Sequence, residues 1–172
     1  WWGQQIPAYF YGDGKEDCID PDCGLITNRE FDNGTTGWQL FVQSGNAATL
    51  TADKTNQLSG VNSARVNVTT TQSGTDWHVQ LAQTGKTLVA GTKYTITFTA
   101  KASTARTGSF ALQLGVSPFT NYYSQTINLT TAATTFTFDY TPSATYSNVS
   151  FLLNLAKATG NIWIDNVQIK NR

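Results

Sequence analysis

The chain has 172 residues, with eleven acidic and eleven basic side chains, so its net charge is zero at neutral pH. That length gives one domain of ordinary size with a full hydrophobic core, and the balanced charge argues against a nucleic-acid or anionic-membrane partner. Threonine contributes 28 residues and Trp, Tyr and Phe together 21, side chains that suit a pleated, half-buried surface, so the composition favours an all-β fold.

Residues 1–32 hold seven carboxylates and two bases, whereas the rest of the chain holds four carboxylates and nine bases. The chain therefore divides into residues 1–24, an acidic N-terminal segment, linker or fusion scar, and a β body over residues 25–172. In the acidic segment, Gly12 to Cys23 places carboxylates at short intervals between glycines and a proline. Such spacing can wrap a calcium ion, or stay a solvated linker. Cys18 and Cys23, the only cysteines, could close a local disulfide in an oxidising compartment. This stretch loosely resembles the acidic calcium-binding repeats between domains of secreted proteins. Residues 1–17 resemble a segment of bacterial valyl-tRNA synthetases, but the nucleotide-binding motifs of a synthetase are missing and no activity follows.

From Leu25 onward, short alternating runs are separated by turn residues. The pattern predicts strands over 25–31, 38–43, 47–52, 63–69, 76–83, 94–102, 109–116, 122–129, 135–140, 148–155 and 161–170. Residues 94–100 and 136–140 alternate with period two, which buries one face and wets the other. No amphipathic helix of three turns interrupts them, and no apolar run reaches the length of a membrane span. The expected architecture is a two-sheet β-sandwich or barrel.

Acid–base catalysis needs titratable groups that can approach each other. After Asp32 the body offers Asp53, Asp76, Asp139 and Asp165, with His78 as its single histidine. Asp53 falls in a polar turn and Asp139 on a wet strand face. Asp76 and His78 are two apart on an expected strand, so they could form a pair, yet no nucleophile or third member accompanies them. Phosphate-loop, zinc and serine-hydrolase motifs are missing. The sequence argues against an enzyme; a lyase or hydrolase using Asp76 and His78 is the alternative.

Aromatic and amide side chains are more plentiful. Trp77 stands three residues before Gln80, and Phe110 to Tyr123 leaves a strand carrying Gln113 and enters a loop with Phe119, Tyr122 and Tyr123. In 148–155, Phe151, Leu153 and Leu155 share one face, while Ser150, Leu152 and Asn154 share the other. Stacked aromatics and aimed amides suit a neutral, partly wet ligand such as a sugar. Each residue also has an ordinary structural role open to it. Of adjacent Tyr122 and Tyr123, a regular strand turns only one outward. Trp38 and Trp163 sit among core-facing residues and read as structural.

Residues 25–170 resemble the carbohydrate-binding modules of families 4, 9, 16 and 22. The resemblance rests on Asn28-Arg29-Glu30-Phe31-Asp32 followed by Gly37-Trp38, then Ser63 to Val66, Trp77 to Gln80, Gly91 to Thr95, Ala100 to Ala102 and Ile164 to Val167. It implies a β-jelly-roll sandwich whose concave sheet forms a cleft for a single β-glucan or xylan chain. Trp77, Gln80, Phe119 and Tyr122 would line that cleft, with Gln113, Asn154, Phe41 and His78 beside them. A structural Ca2+ would join the first strand to the last through Asp32 and Asp165, with Asn62 and carbonyls near Asn62–Arg65 completing its shell. Ser124 and Leu152 depart from polar residues found in some relatives. The module would be a secreted, monomeric part of a larger multidomain glycoside hydrolase; a spacer or interaction domain without sugar binding is the alternative.

Overall fold

The computed structural model describes residues 24–72 and 74–172; the acidic run, the two cysteines and the synthetase-like stretch lie outside the described residues. Among the described residues ten strands form: β1 (Gln39–Val42), β2 (Ala47–Asp53), β3 (Ser63–Thr70), β4 (Val79–Leu88), β5 (Tyr94–Ala102), β6 (Arg106–Leu114), β7 (Asn121–Leu129), β8 (Thr134–Tyr140), β9 (Tyr146–Asn154) and β10 (Gly160–Asn171). They make two antiparallel five-stranded sheets, ordered β1-β4-β9-β6-β7 and β2-β3-β10-β5-β8. Only β2–β3 and β6–β7 are sequence neighbours within a sheet, and the other connections cross the sandwich, as in a jelly roll.

Period-two patterning explains the core. In β5, Tyr94, Ile96, Phe98, Ala100 and Ala102 are buried and the residues between them are half-exposed. Phe98, Phe110 and Phe151, from three strands and both sheets, meet with ring centroids 5.2 to 6.0 Å apart. Burying each such ring contributes about 1.5–3 kcal/mol. Trp38 meets Phe151 edge-on at 5.9 Å and lies 5.0 Å from Phe31, closing one end of the core.

Four local expectations change. Residues 25–31 form no strand: Asn28 (φ 44°) and Phe31 (φ 56°) have left-handed backbones that cannot continue a ladder. The Asn28 side chain instead folds a loop, donating to the Gly34 and Thr36 carbonyls and accepting from Asn33 N–H, while its own carbonyl takes the Trp38 indole N–H. This segment still meets the last strand, through Leu25 N–H to Ile169 C=O and Val167 N–H to Arg29 C=O.

Asp76–His78 is a single 3-10 turn ahead of β4, so the expected strand alternation does not pair Asp76 with His78. Asp53 is no turn residue but the buried end of β2. Trp163 is buried on the outer face, not in the core. Ile162 and Ile164 point inward beside it, and Trp163 lies under the Lys101 ammonium at 5.2 Å with its indole N–H on Asp53 at 2.8 Å. Further along β10 a bulge between Asp165 and Gln168, with Asn166 at φ 51°, resets the alternation so that Val167 and Ile169 return to the core.

Candidate functional site

The outer face of the β1-β4-β9-β6-β7 sheet forms an open cleft of about 850 Å³. Its floor follows from strand register. One row runs Gln39, Ala82, Leu152, Ala111 and Ser124 across the five strands. Ala82, Leu152 and Ala111 form a small apolar cluster of their own, separate from the main core. A second row, two residues along each strand and so about 7 Å away, runs Phe41, Gln80, Asn154, Ser109 and Thr126. On the other side of the apolar row, Ser150, Gln113 and Asn121 are aligned.

The second row is wired by hydrogen bonds. Gln80 Nε2 donates to Asn154 Oδ1 (2.8 Å), Asn154 Nδ2 to Ser109 Oγ (2.9 Å), and Ser109 Oγ to Asp76 Oδ2 (2.7 Å). A network of this kind fixes its members' orientations. Gln80 keeps its carbonyl oxygen and one amide hydrogen outside these bonds, ready for a ligand.

Three aromatics stand exposed around this floor: Phe41 and Trp77, each 45% exposed, and Phe119 at 56%. Both flanks of Trp77 are pinned by main-chain bonds, Ala156 N–H to Asp76 C=O and Gln43 N–H to His78 C=O, while its ring stays out in solvent. Phe119 sits in the β6–β7 loop with φ 55°, an unfavourable backbone for a bulky residue. Gln113 Nε2 holds its carbonyl at 2.6 Å, and its own N–H reaches the Val116 carbonyl.

Six of the eight expected sugar contacts, Phe41, Trp77, Gln80, Gln113, Phe119 and Asn154, therefore line one cleft. Tyr122 and His78 do not. A bulge between Leu112 and Gln113 opposite β7 lets Tyr122 as well as Tyr123 pack inward, so the simple alternation of adjacent residues fails there. Tyr122 stacks on Tyr146 at 4.0 Å and Tyr123 lies 5.0 Å from Tyr140. His78 turns its ring edge-on to Trp77 at 4.5 Å, with a buried Nδ1. Ser109, Ala111 and Asp76 belong to the cleft without having been expected there. The first two share the period-two face that carries Gln113.

The metal candidates lie elsewhere, where the loop before β3 meets β10. Asp165 is fully buried and, among the described residues, no cationic side chain pairs with it. Burial pushes its carboxyl above the usual range, opposed by donors from Ser63, Asn166 and Ser59. Asp32 Oδ1 accepts from Val61 N–H in the same loop. Asn62 Nδ2 donates to the Phe31 and Asp32 carbonyls, whereas its Oδ1 is buried without a partner. An uncompensated buried carboxylate and an unpartnered amide oxygen are hard donors of the kind a calcium ion takes. Among the described residues no three His, Cys, Asp or Glu side chains cluster as a metal site, so a cation here would depend on amide and main-chain oxygens as well.

Comparison with known proteins agrees with this architecture. A solved CBM4 structure superposes with a TM-score of 0.73 at 27% identity, covering 86% of this chain and 99% of its own. The N-terminal cellulose-binding domain of Cellulomonas fimi β-1,4-glucanase C shares the fold at TM-score 0.61 and 22% identity, covering 83% of this chain and 93% of that one. So do the CBM22-1–GH10 modules of Clostridium thermocellum endo-1,4-β-D-xylanase 10B, complexed with xylohexaose, at TM-score 0.60 and 17% identity, covering 83% of this chain and 28% of that one. No curated protein matches the chain. The family model of the carbohydrate binding domain CBM_4_9 matches residues 24–160. The chain belongs to that family, a non-catalytic type of domain that binds carbohydrate.

Proposed function

We propose that the cleft binds a single β-glucan or xylan chain and brings an attached glycoside hydrolase to its polysaccharide outside the cell. The observation that carries this reading is the convergence of exposed Trp77, Phe41 and Phe119 on a shallow floor bearing wired amides. Aromatic faces stack on sugar C–H surfaces, the Ala82–Leu152–Ala111 floor lies flat beneath, and Gln80 and Asn154 meet hydroxyls without any change of charge. The relatives supply two kinds of support: one is a cellulose-binding domain, and another is joined to a GH10 module with xylohexaose bound. Tethering to substrate raises an enzyme's local concentration, and a monomeric module achieves this.

Affinity electrophoresis in gels containing mixed-linkage glucan, laminarin, xylan or soluble cellulose tests the reading. Retardation in at least one gel is expected, and Trp77→Ala should weaken binding roughly five- to thirtyfold, because removing one stacking ring costs about 1–2 kcal/mol. Migration unaffected by every polymer would establish the spacer or interaction domain instead.

We also propose that Asp165, Asn62 Oδ1 and Asp32 hold a structural calcium ion. The support is the buried, unpaired carboxylate and the partnerless amide oxygen beside one loop. When bound, the ion would supply the positive charge that Asp165 lacks.

A further inference from the structure

Asp76 is the only ionisable side chain lining the cleft, among the described residues. Its carboxylate cannot simply swing away. Ser109 Oγ holds Oδ2 at 2.7 Å, and the Asp76 carbonyl is anchored by Ala156 N–H at 2.9 Å. Among the described residues, no lysine or arginine lines the cleft to offset it. The Arg106 guanidinium, at the start of β6, is engaged by the Thr104, Ala158 and Thr159 carbonyls. The charge of the whole chain sums to zero, but residues 33–172 hold nine bases against four carboxylates, so any exclusion of anions comes from Asp76 itself and not from the field of the molecule.

A carboxylate is an acceptor-only group, so it welcomes hydroxyl donors and has nothing to offer a second carboxylate. We propose that Asp76 makes this an anion-excluding cleft: it admits neutral polysaccharide chains and rejects the same backbones when they carry uronate or other carboxylate substituents. This specificity rests on the sugar-binding reading above. A ligand carboxylate several ångströms from Asp76, at the edge of water, is disfavoured on the order of tenfold at low salt. The penalty shrinks as salt screens it.

Matched polymers isolate the charge: hydroxyethyl cellulose against carboxymethyl cellulose, and unsubstituted xylan against glucuronate-bearing xylan. Calorimetric titration of the intact chain should show the neutral member of a pair binding about tenfold tighter at low salt. The ratio should fall towards one at about 1 M salt, where the screening length is about 3 Å. Asp76→Asn should bring the ratio near one at low salt, whatever it does to absolute affinity. Ser109→Ala, which keeps the carboxylate but removes its hydroxyl donor, should preserve the discrimination. Equal affinities for charged and neutral members in the wild-type chain, or a ratio indifferent to salt, would overturn the inference and leave sugar binding standing. Failure to bind any neutral polymer would overturn both. The wild-type salt series stands even if Asp76→Asn does not fold.

Discussion

The Asp53 carboxylate ties a loop, a neighbouring strand and a buried indole together. Oδ1 accepts from Thr55 and Asn56 N–H, and Oδ2 takes the Trp163 indole N–H at 2.8 Å with the Arg65 guanidinium at 3.8 Å. The Trp163 bond, helped by those backbone donors and opposed by burial, holds this carboxyl down to about 2, against 3.8 for a free side chain. A folded-state pKa below the unfolded one stabilises above the unfolded value, so this contribution is complete above 3.8 and is lost as pH falls towards 2. Asp53→Asn can still accept from the loop amides but not pair equally with the indole. It should cost about 1.5–3 kcal/mol at neutral pH and lose less further stability than the wild type across that acid window. Urea midpoints at the two ends of the window check both statements. Tyr122 provides a contrasting residue: because it stacks on Tyr146 away from the cleft, Tyr122→Ala should lower the melting point by an amount equivalent to about 2 kcal/mol. Polysaccharide gels should retard it as they retard the parent chain, the opposite of Trp77→Ala.

At the scale of elements, the Asn28 side chain makes three of the hydrogen bonds that fold the loop of residues 28–38. Asn28→Ala removes two donors and one acceptor from that loop and places a Cβ-bearing, non-polar residue at φ 44°. It should destabilise by about 2–3 kcal/mol, and Asn28→Gly should recover about 1 kcal/mol of that by relieving the backbone alone. Thermal melts of the pair separate the two causes. This loop also shows what a sequence pattern can and cannot reveal. Leu25 to Phe31 looks like a strand because its apolar residues are indeed needed in the core: Ile26 and Phe31 are buried. Alternation reports burial, however, and not whether the backbone between buried residues is extended. The other ten expected strands form, within a few residues at each end, because turn residues and period two agree there. Asp76–His78 differs because a tight turn, pinned to Ala156, precedes β4. Tyr122 differs because a bulge changes the side that a residue faces, and bulges leave no mark in the hydrophobic pattern. Trp163 differs for another reason: a buried ring on the outer face looks the same in sequence as one in the core.

Across the whole molecule, the cleft lies on the outer face of one sheet, whereas the proposed calcium ligands sit beside the loop that leads into β3 and the bulge of β10 in the other sheet. Chelation should therefore lower the melting temperature, and Asp165→Ala should remove the response to chelator. A wild-type melt unchanged by chelator would dispose of the proposed ion. Gel retardation, run well below the melting point, should survive metal removal because no cleft residue touches that site. Phe41, Trp77, Gln80, Gln113, Phe119 and Asn154 were readable from the strand pattern and the family resemblance, whereas Gln39, Asn121 and Gln125 of the same cleft were not. Ser109 and Asp76 were not, because only the assembled sheet brings the start of β6 beside a turn more than 30 residues earlier.

The small cluster of Ala82, Leu152 and Ala111 has a consequence for how such a domain can change over time. These side chains pack on one another and not into the main core. Exchanging them alters the contour that meets a ligand while the rings of Phe98, Phe110 and Phe151 stay in place behind the sheet. Recognition can thus drift by single substitutions outside the main core, so one scaffold can be retuned to new polymers while its central packing is kept.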